Sequence, residues 1–262
     1  MENAYLERGS APISADTWKL LDTTMIEAAK AQLAGRRLLA VEGPYGFGLK
    51  VIPYSDHKLE DGIIGTSVIP VNLIESEFEL SKRDLASYEK DKMAIDLGPL
   101  ARAAIDCAQK EDQIIFHGLH GNPGLLTAKG TSSQTLSKWD TIGAAADQII
   151  AAVTKLDNAG FHGPYSLALA PAEYNLLLRR YPQGEGTELD HIRSFVTAGV
   201  VKAPALKKGG VLLASGSQYT SLAIGQDMAI GYIGPEGNKL LFHVLESLAL
   251  LIKVPASICV LK

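Results

Sequence analysis

The sequence predicts an α+β fold, and three observations carry that prediction. Apolar residues recur at helical spacing in separate stretches that begin near Ser14, Asp96 and Trp139. Asn72–Leu80 alternates cleanly between apolar and acidic positions, as a half-buried strand does. From Gly199 to the end the chain is dominated by short apolar runs that read as antiparallel strands. Helices and antiparallel strands mixed in this way indicate α+β. At 262 residues, 47% hydrophobic and 21% charged, the chain has ordinary globular composition and suits one large domain or two modest ones. Such a length buries roughly 70–75% of its unfolded surface, so the core needs no disulfide or metal. There are no internal repeats, low-complexity stretches or linkers.

The first helix is capped by Ser14 and carries Trp18, Leu21, Met25, Ala28, Ala29 and Leu33 on one stripe, with Gly35 as its stop. That alanine-rich stripe either packs closely or leaves a shallow groove. Leu38–Val41 is a short apolar run closed by the turn Glu42-Gly43-Pro44-Tyr45-Gly46. Leu49–Tyr54 and Ile63–Ile69 flank the polar Ser55–Gly62, a long hairpin with a charged tip. The hairpin has few core partners of its own, and docking onto a neighbour would cover its edges. In Asn72–Leu80, Ile74, Phe78 and Leu80 share one face while Glu75, Glu77 and Glu79 make a solvated one.

Asp96 caps a helix bearing Leu97, Leu100, Ala104, Ile105 and Ala108, and another starts at Trp139 or Asp140 and ends at Asn158-Ala159-Gly160. Strand Tyr165–Ala170 follows, and Pro171 opens a helix expected to run to Arg180. The glycine-bearing loop Tyr181–Glu188 precedes a short helix with Leu189, Ile192 and Phe195. Val211–Ala214, Leu222–Gly225, Met228–Tyr232 and Lys239–Lys253 read as strands. The apolar terminus Ile258–Leu261 must be tied into a sheet or an interface.

The chemistry-bearing signals are sparse. A net charge of −4 argues against a nucleic-acid binder, which needs clustered Lys and Arg. Two distant cysteines, Cys107 and Cys259, form no disulfide framework and suit a reducing compartment. No signal peptide or bilayer-length apolar run is present, so a cytoplasmic protein with no membrane partner is expected. His117 and His120 could offer two metal ligands, but Gly118 and Gly121 mark a loop and no third ligand is in view, so no metal is expected. There is no dinucleotide fingerprint, Walker loop or nucleophile elbow, and no catalytic residue is assigned. The informative features are structural and suit assembly.

Several segments in order along the chain resemble the encapsulins, nanocompartment shell proteins of bacteria and archaea. They are Ala11-Pro12-Ile13 with Trp18, Gly35-Arg36-Arg37 leading to Val41–Gly46, Glu111–Phe116, Gly163-Pro164-Tyr165, Tyr181-Pro182 and Gly225–Tyr232. The resemblance spans nearly the whole chain. It implies the tailed-phage major-capsid (Hong Kong 97-like) fold. It further implies an N-terminal luminal helix and lead-in over 1–46, and an extended E-loop over 47–70. A peripheral domain over 71–132 and 201–262 and an axial domain over 133–200 complete the expected division. The implied partners are identical subunits in an icosahedral shell, T=1 with about 60 copies, built from contacts that propagate until rotation closes them. The other implied partner is a cargo protein held by its C-terminal targeting peptide, such as a ferritin-like protein or a peroxidase, in iron storage or oxidative-stress protection.

Residue matching within that resemblance gives the expected sites. Cargo-peptide binding falls on Met25, Ala29, Leu33 and Arg36 of the helix, and on Asp227, Ala229, Ile230 and Tyr232 of the sheet. Pore lining falls on Gln183, Gly184, Glu185, Gly186 and Glu188, whose carboxylates would ring an axis and favour cations. Some relatives stack a flavin on an aromatic residue. The matched position here is about Arg83, so no cofactor is expected. A phage or prophage major capsid protein shares the fold and stays open, as does a stand-alone metal-dependent enzyme using His117/His120 or Glu75–Glu79.

Overall fold

The computed structural model describes residues 4–182, 184 and 186–262. Its helices are α1 (Ala15–Lys30), α2 (Lys82–Asp91), α3 (Gly98–His117), α4 (Ala144–Asn158), α5 (Pro171–Leu176) and α6 (Glu188–Phe195). The early strands are β1 (Ala40–Glu42), β2 (Val51–Glu60), β3 (Ile63–Pro70), β4 (Asn72–Ser81), β5 (Gly118–Leu119), β6 (Asn122–Pro123) and β7 (Ser132–Gln134). The later ones are β8 (Tyr165–Leu169), β9 (Gly199–Lys202), β10 (Gly210–Ala214), β11 (Thr220–Ile224), β12 (Ala229–Glu236), β13 (Lys239–Ile252) and β14 (Ile258–Leu261). The chain forms two compact units. The first takes residues up to Gln32, Gly43–Glu111 and Ala223–Ala249; the second takes Leu33–Glu42, Asp112–Leu222 and Leu250–Lys262. β10 and β14, both beyond residue 200, share one sheet with β8 and β9.

The first unit is organised on β13, which pairs antiparallel with β4 and with β12. Register sets Phe242 opposite both Phe78 and Tyr232. The Phe78 and Phe242 rings stack at 5.3 Å, Tyr232 tilts against Phe242 at 5.4 Å, and Trp18 of α1 meets it edge-on at 5.8 Å. Truncating such a fully buried Phe to Ala costs about 3–5 kcal/mol. α1 buries Thr17, Leu21, Met25 and Ala29, the stripe its spacing predicts. Ser14 is its N-cap and accepts from the Thr17 N–H. Glu89 of α2 adds a second tie, accepting from the Ser14 N–H at 2.6 Å and the Thr17 hydroxyl at 2.9 Å. These bonds, that of the Ser14 backbone above all, hold the Glu89 carboxyl below its ordinary range.

On β4, Ile74, Phe78 and Leu80 are buried while Glu75 and Glu77 are exposed. Across the sheet Glu75 pairs with His243 and Glu79 with Lys239. The hairpin expected over 49–69 is present as β2 and β3, a two-stranded sheet of its own closed at Asp61-Gly62. Gly62 takes φ +77°, a conformation that favours glycine.

The second unit is built on the sheet β7-β14-β10-β8-β9. β8, β10 and β14 are buried at every position, so the apolar C-terminal strand lies inside a sheet as its composition requires. α4 seals one side with Ala145, Ala146, Ile149, Ala152 and Leu156, which pack with Trp139, Leu167, Ile192, Leu212 and Cys259. α4 begins at Ala144 rather than Trp139, and α5 stops at Leu176 rather than Arg180. α2 was not foreseen at all.

Candidate functional site

The helix–sheet surface expected to bind a peptide is, in large part, the core of the first unit. Met25 and Ala29 on α1, and Ile230 and Tyr232 on β12, are each less than 10% exposed. Their side chains fill the seam between helix and sheet, so they present no open groove. Ala229 is half-buried, whereas Asp227 is exposed and accepts from the Met228 N–H at 2.9 Å. Leu33 and Arg36 belong to the second unit. Leu33 is buried and Arg36 half-buried, beside a tight corner in which the Asp112 carboxylate accepts from the Ala34 and Gly35 N–H groups. A Cβ on Gly35 would stand 2.4 Å from Ile115 Cδ1, which explains the glycine.

Open surface on α1 lies on its other side. A groove of about 370 Å³ is lined by Arg8, Trp18, Lys19, Asp22, Thr23 and Ile26, with Ala15 at its end. The Arg8 guanidinium sits 4.1 Å from the Trp18 ring centre, a cation–π contact. Asp22 holds the same guanidinium through two bonds of 3.1 and 2.7 Å. This fork fixes both the ring and the cation before any ligand arrives. Ile26 is 43% exposed. Sequence reasoning missed Arg8, Asp22 and Ile26. The available signal was Ile26 itself, an isoleucine off the buried stripe of α1.

The glycine-bearing loop is anchored by its ends. The Tyr181 N–H donates to the Gly186 carbonyl at 3.2 Å, and Arg180 bridges to Thr187. Thr187 and Asp190 form a capping box that starts α6. The Thr187 hydroxyl and N–H both donate to the Asp190 carboxylate and lower its pKa. The Tyr181 hydroxyl lies 3.0 Å from His191 Nδ1, and burial followed by the nearby Glu188 charge pushes that phenol up. Gly184 is exposed and Gly186 half-buried. Gln183 and Glu185 lie outside the described residues.

Glu188 corrects the sequence expectation. It is completely buried and cannot line a pore. Its Oε1 accepts from the Gly143 and Ala146 N–H groups, both at 3.0 Å, which are otherwise orphan donors at the start of α4. Arg179 stands 3.5 Å from its other oxygen. The sequence gives a carboxylate in a polar loop no sign of donors some 45 residues earlier.

The two spaced histidines sit in different local settings. His117 Nε2 lies 3.0 Å from the Ala205 carbonyl, and His120 occupies the turn of the β5–β6 hairpin with φ +46°. Among the described residues no group of three or more His, Cys, Asp or Glu could hold a metal ion. Arg83 is exposed on the first turn of α2, and the Lys92 ammonium covers the Tyr88 ring at 4.9 Å. No helix among the described residues is long and apolar enough to cross a membrane.

Comparison with known proteins gives concordant results. Residues 2–249 match the model of a family described as encapsulating protein for peroxidase. The chain is 33% identical to a type 1 encapsulin shell protein of Myxococcus xanthus, over 98% of this chain and 96% of that one. It is 31% identical to a diheme-cytochrome–encapsulin shell fusion protein of Kuenenia stuttgartiensis, over 95% of this chain and 74% of the relative. Among solved structures, the virus-like particle of Pyrococcus furiosus superposes with a TM-score of 0.78 at 20% identity, covering 95% of this chain and 100% of that one. The capsid of the myovirus XM1 follows the same fold with a TM-score of 0.59 at 15% identity, covering 85% and 88%.

Proposed function

Since the chain belongs to the encapsulin family of shell proteins, with the tailed-phage capsid fold, we propose that many copies close into an icosahedral cytoplasmic compartment around a cargo protein. The observation that carries this reading is the β2–β3 hairpin. Among the described residues it pairs with no other strand, and it leaves Leu59 at 60%, Ile63 at 50% and Ile64 at 72% exposure. A two-stranded ribbon is marginal in water by itself, and exposed apolar side chains of this size mark a contact surface. A second copy supplies what covers them. The arm on one surface and its acceptor on another make a heterologous contact, which closes into a shell when repeated about symmetry axes. The T=1 arrangement of about 60 copies is part of this proposal.

Cargo enters the same reading through α1. An extended peptide with apolar side chains fits the groove bordered by Trp18 and Ile26, with Lys19 and the Arg8–Asp22 pair available to its polar groups. Met25 and Ala29 are on the buried face of that helix, Ile230 and Tyr232 are buried on β12, and Asp227 offers an exposed carboxylate on the same unit. A ferritin-like protein or a peroxidase carrying a C-terminal targeting peptide is the class of guest proposed, and the guest does the chemistry. The loop around Gly184 and Gly186 is the proposed pore rim.

The test is cargo retention. Particles isolated from the native host should contain a second protein whose C-terminal peptide, fused to a fluorescent protein, suffices for loading. Ile26→Asp should abolish loading while particles still form. Undiminished loading of the Ile26→Asp particles would remove the groove from the account.

A further inference from the structure

Asp61-Gly62, which closes the β2–β3 hairpin, is the one Asp-Gly step in the sequence, and the sequence has no Asn-Gly step. Such a step carries chemistry of its own. Glycine places no side chain beside its amide nitrogen, so that nitrogen can reach the β-carboxyl of the preceding aspartate and close a five-membered ring. A fold suppresses the reaction when it buries the carboxyl or holds the backbone rigid. Other aspartates of the chain are held in this way. Asp112 is buried and accepts from the Ala34 and Gly35 N–H groups, Asp22 grips Arg8, and Asp190 accepts from Thr187.

The hairpin tip supplies neither restraint. The Asp61 side chain is 98% exposed. Lys58 pairs with it, but that cation is exposed too, and an ion pair between exposed groups holds a carboxylate weakly. A Cβ built on Gly62 would meet no atom within 4 Å, so the turn is open on that side. β2 and β3 pair with each other and, among the described residues, with no other strand. Their register shifts between Lys58 and Glu60, on the approach to the turn. A two-stranded ribbon is marginal in water, and a segment with few buried contacts opens at little cost.

We propose that Asp61 is a site of covalent modification, at which the hairpin tip converts to isoaspartate without an enzyme. The Gly62 nitrogen forms a bond to Asp61 Cγ, and the carboxyl hydroxyl leaves with the amide proton as water. Water then opens the ring. Attack at Cγ restores aspartate. Attack at the main-chain carbonyl breaks its bond to the Gly62 nitrogen and leaves the chain running through Cβ. Nothing is oxidised or reduced, and the mass returns to its starting value. The backbone gains one methylene inside the two-residue turn bracketed by the Glu60–Ile63 pair, so the turn no longer closes in the same register. Covering Leu59, Ile63 and Ile64 in a shell asks nothing of the Asp61 carboxyl, so the inference stands apart from the shell reading.

Ageing the purified full-length protein at 37 °C and neutral pH for several weeks tests it. Digestion, methyl transfer by a protein isoaspartate O-methyltransferase and fragmentation by electron transfer locate the altered residue. Label should accumulate in the peptide that holds Asp61, at a rate within about tenfold of that in the same chain kept in denaturant. Asp61→Glu keeps the charge but would have to close a larger ring, and should lower the label at this peptide about tenfold or more. Asp61→Asn should gain label faster, because a neutral amide is attacked more readily than a carboxylate. An Asp61 peptide without label would overturn the proposal, as would protection of about a hundredfold relative to the denatured chain. Equal label in Asp61→Glu, or label on other aspartates in preference to Asp61, would overturn the assignment to this residue.

Discussion

Glu188 Oε1 lies 3.0 Å from the Ala146 backbone nitrogen, so a carboxylate from the start of α6 caps the start of α4. The same oxygen serves the Gly143 N–H. Replacing Glu188 with Ala strands these backbone donors, at a cost of about 1–3 kcal/mol, while Arg179 keeps its bonds to the Leu176 and Trp139 carbonyls. Calorimetry should show a lower Tm for Glu188→Ala with partial recovery in Glu188→Gln. A pore-lining residue would behave in the opposite way, with unchanged Tm and altered cation entry.

Ala29 and Ile26 sit three residues apart on α1 and should respond in opposite ways. Ala29 is buried against the sheet, so Ala29→Trp overpacks the core and costs at least about 1–3 kcal/mol. Poor yield and a broadened near-ultraviolet signal are expected. Ile26→Asp places a charge in water and should leave folding intact. Normal solubility and Tm for Ala29→Trp would mean that α1 is not packed as described.

Acid should loosen the N-terminal region through Glu89. Its folded pKa lies below the ordinary 4.5, because the Ser14 N–H and then the Thr17 hydroxyl bind the ionised form. The stabilisation is therefore fully present above about pH 4.5 and is lost as pH falls through the lower folded value. Hydrogen exchange at the start of α1 should accelerate over that interval, and Glu89→Gln should flatten the dependence. Identical pH profiles for the two proteins would exclude Glu89 as the tie.

The thiols should be silent in the folded protein. Burial first, then the Glu246 charge, pushes the Cys107 thiol up to about 12, and burial likewise raises Cys259. A chromogenic disulfide reagent at pH 8 should label neither until denaturant is added. Rapid labelling of one thiol in native protein would show that its strand or helix opens.

Local pattern revealed the hairpin, the alternation of β4 and the burial of Ile258–Leu261, because each is written in residues close in sequence. α2 escaped notice because Leu85 is its one buried residue, so it has no apolar period and rests on the Ser81 cap and the Glu89 tie. The role of Glu188 was illegible for a different reason. Its donors belong to α4, and only tertiary packing brings them together. Matching along the chain placed Met25 and Ala29 correctly on α1, yet whether that stripe faces a guest or the chain's own sheet depends on β12, some 200 residues later. The open groove formed instead by Arg8, Trp18 and Ile26 combines two helical turns with a preceding segment, a juxtaposition that periodicity does not encode.

The central claim is closure of many copies into a hollow particle, and sedimentation velocity with electron microscopy of the same sample tests it most directly. The account predicts one sharp boundary far above the 28.0 kDa chain and uniform empty-centred spheres. A single species at chain mass across a wide range of concentration and salt would contradict it.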